Sequence, residues 1–414
     1  MALKLSRRVL SLKPSATVAM ANRVKALRRG GVDVLAFAAG EPDFDTPEAI
    51  KSTAIEALRQ GMTKYSPTLG SPEARQAIAE KLTRENGIPG VTAEHVAISV
   101  GAKHSFYLAA HCLFDPTEGG EALLPVPAWV SYAPILELAG ANVVPLSTTP
   151  GGSFKISPEQ LRTAITPRSR MLVLNSPCNP TSQVYSPEEL AALARVIVES
   201  ERLAPNLIVV HDEIYEKIVY AGAKHVSMAS LPGMAERTIT VNGMSKAFAM
   251  TGWRVGYAAA SGESGKALIR AFDTLQGQMT NNITTFVYPA IVTALTRCAE
   301  DVEKMRTAFA NRAEVMHARL NAIEGVSCVR PVGAFYAFAD VSRLFGKTSA
   351  GGRGIASASD FAEALLEEQR MAVVPGEEFG GCGGNHVRLS FACGESDIED
   401  GAKRLRTFVE GMRK

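Results

Sequence analysis

Long apolar runs are missing from this 414-residue chain. No stretch of eighteen apolar residues occurs, so no membrane-spanning helix is expected. The N-terminal MALKLSRRVLSLKPSAT carries basic residues but neither an extended apolar core nor a cleavage signal, and the expectation is a soluble, cytoplasmic protein. An excess of one charge is also missing. Lys plus Arg number 44 against 42 Asp plus Glu, a net charge of +2, which leaves no electrostatic case for a nucleic-acid partner or an anionic membrane surface. Cysteine is sparse, and the six (Cys112, Cys178, Cys298, Cys328, Cys382 and Cys393) lie far apart, against both a disulfide framework and a zinc site. Free thiols are expected. The seven histidines show no metal-binding spacing, so no metal cofactor is expected. The glycine-rich stretches 351–354 and 380–384 lack the pattern and setting of a phosphate loop or dinucleotide fingerprint and read as connections.

What is present is an alternation of short apolar runs with helical patterns between about residues 95 and 260. HVAISV, EALLPV, ANVVPL, RMLVLN, NLIVVHDEIY, RTITVNG and WRVGYAAA read as strands apolar on both faces, as in a parallel sheet covered by helices on each side. Thr46-Pro47-Glu48, Ser71-Pro72-Glu73, Ser157-Pro158-Glu159 and Ser186-Pro187-Glu188 each supply a capping hydroxyl, a proline at the first helical position and an acid in the first turn. Gly61 and Gly87 close the first two of these helices. After about residue 290 a long charged helical stretch, 292–322, gives way to strands such as GAFYAFADV and NHVRLSFA, the texture of a second, smaller α+β unit. At roughly 100 to 200 residues per domain, the length suits two domains or three.

Chemistry gathers around Lys246, a lone lysine in TVNGMSKAFAMTGWRVGYAAA, between a strand at 238–241 and a second expected over 252–260. Burial there would lower its pKa and make the amine a nucleophile for a carbonyl, as in a Schiff base; a lysine snorkelling to the surface is the ordinary alternative. Asp212 and Tyr215 follow an apolar strand, where open α/β sheets place their ligand crevice. An acid under a pyridine ring keeps the ring nitrogen protonated, although a helix cap or a local ion pair would also explain Asp212. Tyr215 could reach the same ring or sit in the core. Asn179, before Pro180, offers a free amide or serves the turn. SVGAK starts a helix whose Ala102 and Lys103 amides make an anion site, and Arg254 and Ser245 add donors suited to phosphate. Trp129 offers a flat face for a heteroaromatic ring or packs in the core. Arg388, in the apolar strand HVRLSFA, must meet an anion: a bound carboxylate or an internal glutamate.

Taken in order, AAGEPDFDTP, KYSPTLGSPEARQAIAEKL, SVGAK, PAWVSY, LNSPCNPT, DEIY, NGMSKAFAMTGWRVGY, GAFYAF, VVPGEEFG and VRLSFA resemble, nearly end to end, the class I and II aminotransferases that use pyridoxal 5′-phosphate, and within them the gamma-type bacterial aspartate aminotransferases. The resemblance implies an α/β fold of the aspartate aminotransferase kind: a large cofactor-binding domain over 48–290 with a mostly parallel central sheet, and a small α+β domain from 1–47 plus 291–414. It implies that Lys246 carries the cofactor and moves the substrate Cα proton, with Asp212 on the pyridine nitrogen, Tyr215 and Asn179 on the ring hydroxylate, and Trp129 stacked on the ring. Ser245, Arg254 and the amides of Ala102 and Lys103 would hold the phosphate. Tyr65 would reach the phosphate of a neighbouring subunit in a homodimer with shared sites.

Gly40 and Arg388 would bind the substrate α-carboxylate, with Asn179 and Trp129 beside it. Lys103 would meet the distal carboxylate of aspartate or glutamate, and Thr17 matches a threonine of relatives that also aminate prephenate. The implied activity moves an amino group between aspartate or glutamate and oxoglutarate or oxaloacetate, with prephenate as a further acceptor. Two departures stand out: Ser182 where the family has glycine in NPTG, and His104 in place of a common glutamine. The rival readings are another pyridoxal-phosphate reaction on the same scaffold, such as an alanine, kynurenine or aromatic transaminase or a carbon–sulfur lyase, and a non-catalytic effector-binding module. The last needs a fused DNA-binding domain, for which the region before Gly40 is too short and not basic enough.

Overall fold

The computed structural model describes residues 3–10, 12, 14 and 16–413. Seven strands build the central sheet in the order Val96–Ser99, Gly256–Ala260, Thr238–Gly243, Ile208–Asp212, Ser169–Asn175, Glu121–Val126, Asn142–Ser147. Gly256–Ala260 runs antiparallel to both of its neighbours, and the remaining pairs are parallel. Met171, Leu172, Val173 and Leu174 are consecutive and all buried, so both faces of their strand are covered by helices, as the unbroken apolar runs require. Burying each such side chain contributes about 1.5 to 3 kcal/mol.

Ser71, Ser157 and Ser186 cap their helices by accepting from the amides of Ala74, Gln160 and Glu189, with proline in the first turn of each. Gly87 ends the helix Pro72–Asn86 at φ 66°, and Gly61, at φ 78°, follows Glu48–Arg59. Thr46 departs from expectation. Pro47 is the N-cap of Glu48–Arg59, and the Thr46 hydroxyl instead donates to the Ala249 carbonyl (2.8 Å) and accepts from the Trp253 indole (3.1 Å). A partner distant in sequence has outcompeted the local one.

Two further boundaries move. The strand expected over 252–260 starts at Gly256, because Thr251–Arg254 is a turn with Arg254 at φ 58° and its Nη1 bonded back to the Thr251 carbonyl at 3.0 Å. The long helical stretch breaks at Cys298 (φ −110°, ψ 23°) into Tyr288–Arg297 and Ala299–Asn321.

An antiparallel four-stranded sheet, ordered Val374–Pro375, His386–Ser390, Tyr336–Asp340, Ser327–Cys328, packs with the helices Ala299–Asn321, Ala358–Gln369 and Glu395–Glu410 around Phe309, Phe361, Leu389 and Leu405. That core also takes in Ile214, Tyr215 and Ile218, so the segment following Asp212 is gripped from the second sheet's side. A short parallel ladder joins Leu35–Ala36 to Met371–Ala372 and delivers Ala38 to Gly40 beside the strand of Arg388. No described helix is long and apolar enough to cross a membrane, and all six cysteines are free.

Candidate active site

Register decides what meets at the sheet's carboxyl edge. Asn175 pairs with Asp212, Asp212 with Val241, and Gly243 and Ser99 both with Gly256, so the segments that follow Ser99, Val126, Asn175, Asp212 and Gly243 emerge side by side. They enclose a cavity of about 280 Å³. Thr17, Gly40, Ala102, Lys103, Trp129 and Asn179 line it, as do Asp212, Tyr215, Ser245, Lys246, Arg254 and Arg388. Of the expected site residues only Tyr65 lies elsewhere, 89% exposed on the surface of its own chain.

Lys246 follows the strand Thr238–Gly243 and donates to the Gly40 carbonyl, with its Nζ 5.8 Å and 5.7 Å from the ring centres of Tyr215 and Phe335. Burial, helped by the charges of Arg388 and Arg254 and opposed by Glu41 and Asp212, brings its pKa down to about 8. The neutral form that a nucleophile or base requires is therefore far more populated at physiological pH than in a free lysine. Asp212 ends its strand and accepts from the Tyr132 hydroxyl (2.6 Å) and the Ile214 amide (3.1 Å). Burial nevertheless holds its carboxyl above the usual range. Such a group gains most from a cationic partner.

Arg388 is 1% exposed. Its guanidinium donates to Asn179 Oδ1 (3.0 Å) and the Ala38 carbonyl (2.7 Å), its Nε has no partner, and it stacks on Tyr336 at 4.7 Å and Phe379 at 5.0 Å. Among the described residues no carboxylate neutralises it, which rules out the internal salt bridge that sequence left open. Lys103, on the first turn of the helix Ala102–Leu113, lies 4.9 Å from the Trp129 ring, where desolvation and then the Arg254 charge lower its pKa. At that helix start Gly101 holds φ 84°, and a Cβ there would strike the Arg254 guanidinium. A Cβ on Gly256 would strike the Ala102 amide nitrogen, so glycine alone lets the helix start approach the sheet so closely. The Ala102 and Lys103 amides have no acceptor within the helix and sit beside Arg254, an anion cradle.

Sequence reasoning missed Tyr132, Asn175, Ile214, Thr251 and Tyr336, which also line the cavity. Asn175 ends a strand as Asp212 does and could have been found by that rule; its Nδ2 donates to the Asp212 carbonyl and its Oδ1 accepts from the Asn179 amide. Tyr336 shares a 2.7 Å hydrogen bond with Tyr215, and burial, then Tyr336 itself, pushes the Tyr215 hydroxyl well above its usual pKa. Behind Asp212, the ligand atoms of Glu213, Glu216 and His225 fall within 4.8 Å of one another. Lys81 already bonds Glu216 there, and Asn86 donates to both glutamates.

These features fit pyridoxal 5′-phosphate. The cavity offers an amine of lowered pKa, a buried carboxylate short of a cation, the face of Trp129 and an amide-and-guanidinium cradle for a phosphate. The comparisons agree. The family model "Aminotransferase class I and II" matches residues 32–405. The chain is 42% identical over 409 residues to an aspartate aminotransferase of Geobacillus stearothermophilus, with 99% of each chain covered. It is 44% identical over 406 residues to an aspartate/prephenate aminotransferase of Thermus thermophilus, 97% of each covered. The crystal structure of the aspartate aminotransferase from Rhizobium meliloti superposes with a TM-score of 0.93 at 35% identity, covering 100% of both. The chain belongs to the class I and II aminotransferase family, enzymes that work with pyridoxal 5′-phosphate.

Proposed function

We propose that this protein moves an amino group between aspartate or glutamate and a 2-oxo acid, oxoglutarate or oxaloacetate, with prephenate as a further acceptor. The observation that carries this reading is the charge of the cavity: Lys103, Lys246, Arg254 and Arg388 line it against a single carboxylate, Asp212. Such a site calls for anions, and a phosphate plus a dicarboxylic substrate supplies them.

When bound, pyridoxal 5′-phosphate supplies the electron sink that weakens the substrate Cα–H bond. In this reading Arg388 grips the α-carboxylate beside Gly40 with a guanidinium that no internal acid occupies, and the Ala38 carbonyl and the Asn179 side chain fix the guanidinium's orientation. Lys103 meets the distal carboxylate. Lys246, with its depressed pKa, would carry the proton between the substrate Cα and the bound cofactor within each half-reaction, in opposite directions in the two. Asp212 holds the proton on the pyridine nitrogen, and Tyr132 and the Ile214 amide hold Asp212. Tyr215 and Asn179 donate to the ring hydroxylate; Ser245, Arg254 and the amides of Ala102 and Lys103 take the phosphate.

We assign residues 48–290 to the large domain and 1–47 with 291–414 to the small one. A homodimer is part of the proposal, because Tyr65 is exposed on its own chain and free to complete the phosphate site of a second copy. Six free cysteines suit a reducing, cytoplasmic setting. Thr17 supports the prephenate reading: it lines the cavity, and its buried Oγ1 has no partner. The test is amino transfer from a panel of donors to oxoglutarate and to prephenate. Aspartate and glutamate should exceed alanine and phenylalanine by at least about tenfold in kcat/KM, a difference of 1.4 kcal/mol. An enzyme that prefers alanine or aromatic donors would refute the assignment.

A further inference from the structure

Ser182 is fully buried and holds a left-handed backbone, φ 56°, which few residues other than glycine adopt. Strain of that kind persists where surrounding bonds enforce it. Here they do so from two directions. The Ser182 amide donates to the Cys178 carbonyl (2.9 Å) and closes the turn that presents Asn179. Its carbonyl accepts from the amides of Val332 (3.0 Å) and Gly333 (3.1 Å), and its hydroxyl oxygen accepts from the Tyr336 amide at 2.9 Å. One residue thus spans two segments far apart in sequence. Asn179 and Tyr336, the residues at the far ends of that span, both touch the Arg388 guanidinium, Asn179 through its Oδ1 and Tyr336 through its ring.

We propose that Ser182 is a positioning residue for carboxylate binding: its side chain ties the Asn179 turn to the strand start at Tyr336 and so fixes the two walls that aim Arg388. The inference rests on the reading of Arg388 as the α-carboxylate site. Without the hydroxyl, the Asn179 turn keeps its main-chain bonds to residues 332 and 333 and the Gln183 side-chain bond to the Arg330 carbonyl, but it loses the bond to Tyr336 itself, and the guanidinium loses a fixed frame. The chemical groups that move the proton stay untouched. The defect therefore belongs to substrate affinity rather than to turnover.

The test compares Ser182→Gly with Ser182→Ala in the holoenzyme. Glycine accepts the left-handed backbone freely, so that variant folds and isolates the loss of the side chain. Succinate, an unreactive dicarboxylate, is titrated against the absorbance of the bound cofactor, and KM and kcat are measured with aspartate. Both variants should weaken succinate and raise the aspartate KM by about fivefold, the equivalent of one buried neutral hydrogen bond, while kcat stays within about twofold and cofactor absorbance is unchanged. Wild-type binding of succinate with an unaltered Ser182→Gly would overturn the positioning role alone. A proportional fall in kcat and melting temperature with unchanged KM would also overturn it, since that marks a purely structural residue. A wild type that does not bind succinate would overturn the functional reading and this inference with it.

Discussion

The Tyr132 hydroxyl donates to Asp212 Oδ2 at 2.6 Å, and both side chains are buried. Burial raises the Asp212 pKa and this bond opposes the rise. A phenylalanine at 132 would remove the opposition, so more of the carboxyl would be protonated at a given pH. The expected result for Tyr132→Phe is retention of cofactor, a roughly ten- to hundredfold loss in kcat/KM, as for a hydrogen bond to a charged group, and an acid limb of the pH–rate profile displaced to higher pH. An unmoved acid limb would separate Tyr132 from Asp212.

Lys246 makes a prediction about stability. Its pKa of about 8 in the folded chain lies below the 10.5 of a free lysine. Below pH 8 the amine is charged in both folded and unfolded chains, and the cost of burying the charge is fully present. Between pH 8 and 10.5 the folded chain releases the proton first, and the cost disappears. Lys246→Met should therefore raise the melting temperature of the cofactor-free protein at pH 7, by a gain of at most about 3 kcal/mol, and the gain should fade as the pH rises from 8 to 10.5. The same variant should be inactive and colourless. A melting temperature that is lowered at pH 7 would contradict the burial argument.

Arg388 carries an unneutralised charge into the cavity. Arg388→Gln should cut kcat/KM for aspartate by at least about a hundredfold, the scale of a desolvated charge pair, while the cofactor remains bound. Steady-state kinetics beside an absorbance spectrum checks both halves. Loss of cofactor along with activity would place Arg388 in the cofactor site instead.

Lys103 separates the two ends of the substrate. Lys103→Ala should cost aspartate and glutamate about tenfold more in kcat/KM than it costs alanine, which has no distal carboxylate. Equal losses for all donors would assign Lys103 to the phosphate or to its contact with Trp129.

Much of this arrangement was legible in sequence because it follows from local rules. Unbroken apolar runs marked all seven strands of the central sheet, and polar residues just beyond those runs marked Asp212, Asn179 and Lys246. Ser71, Ser157 and Ser186 cap helices through bonds that span only three residues. What escaped depends on distant partners. Thr46 has the same local pattern as those serines, yet its hydroxyl is claimed by Ala249 and Trp253 about 200 residues away. Tyr132 and Tyr336 carry no local signal, since only the fold brings their hydroxyls to Asp212 and Tyr215. Ser182 was visible as a departure from the family pattern, but its bond to Tyr336 crosses 154 positions of the chain.

The central claim is that four cations and one buried acid in a single cavity conduct amino transfer from a dicarboxylic amino acid. A single-turnover experiment tests it most directly: purified holoenzyme mixed with excess aspartate and no oxo acid. The account predicts a shift of the cofactor absorbance with release of one equivalent of oxaloacetate per subunit and no ammonia, and reversal of the shift when oxoglutarate is added. An unchanged spectrum, or continuous release of ammonia with an oxo acid, would contradict it.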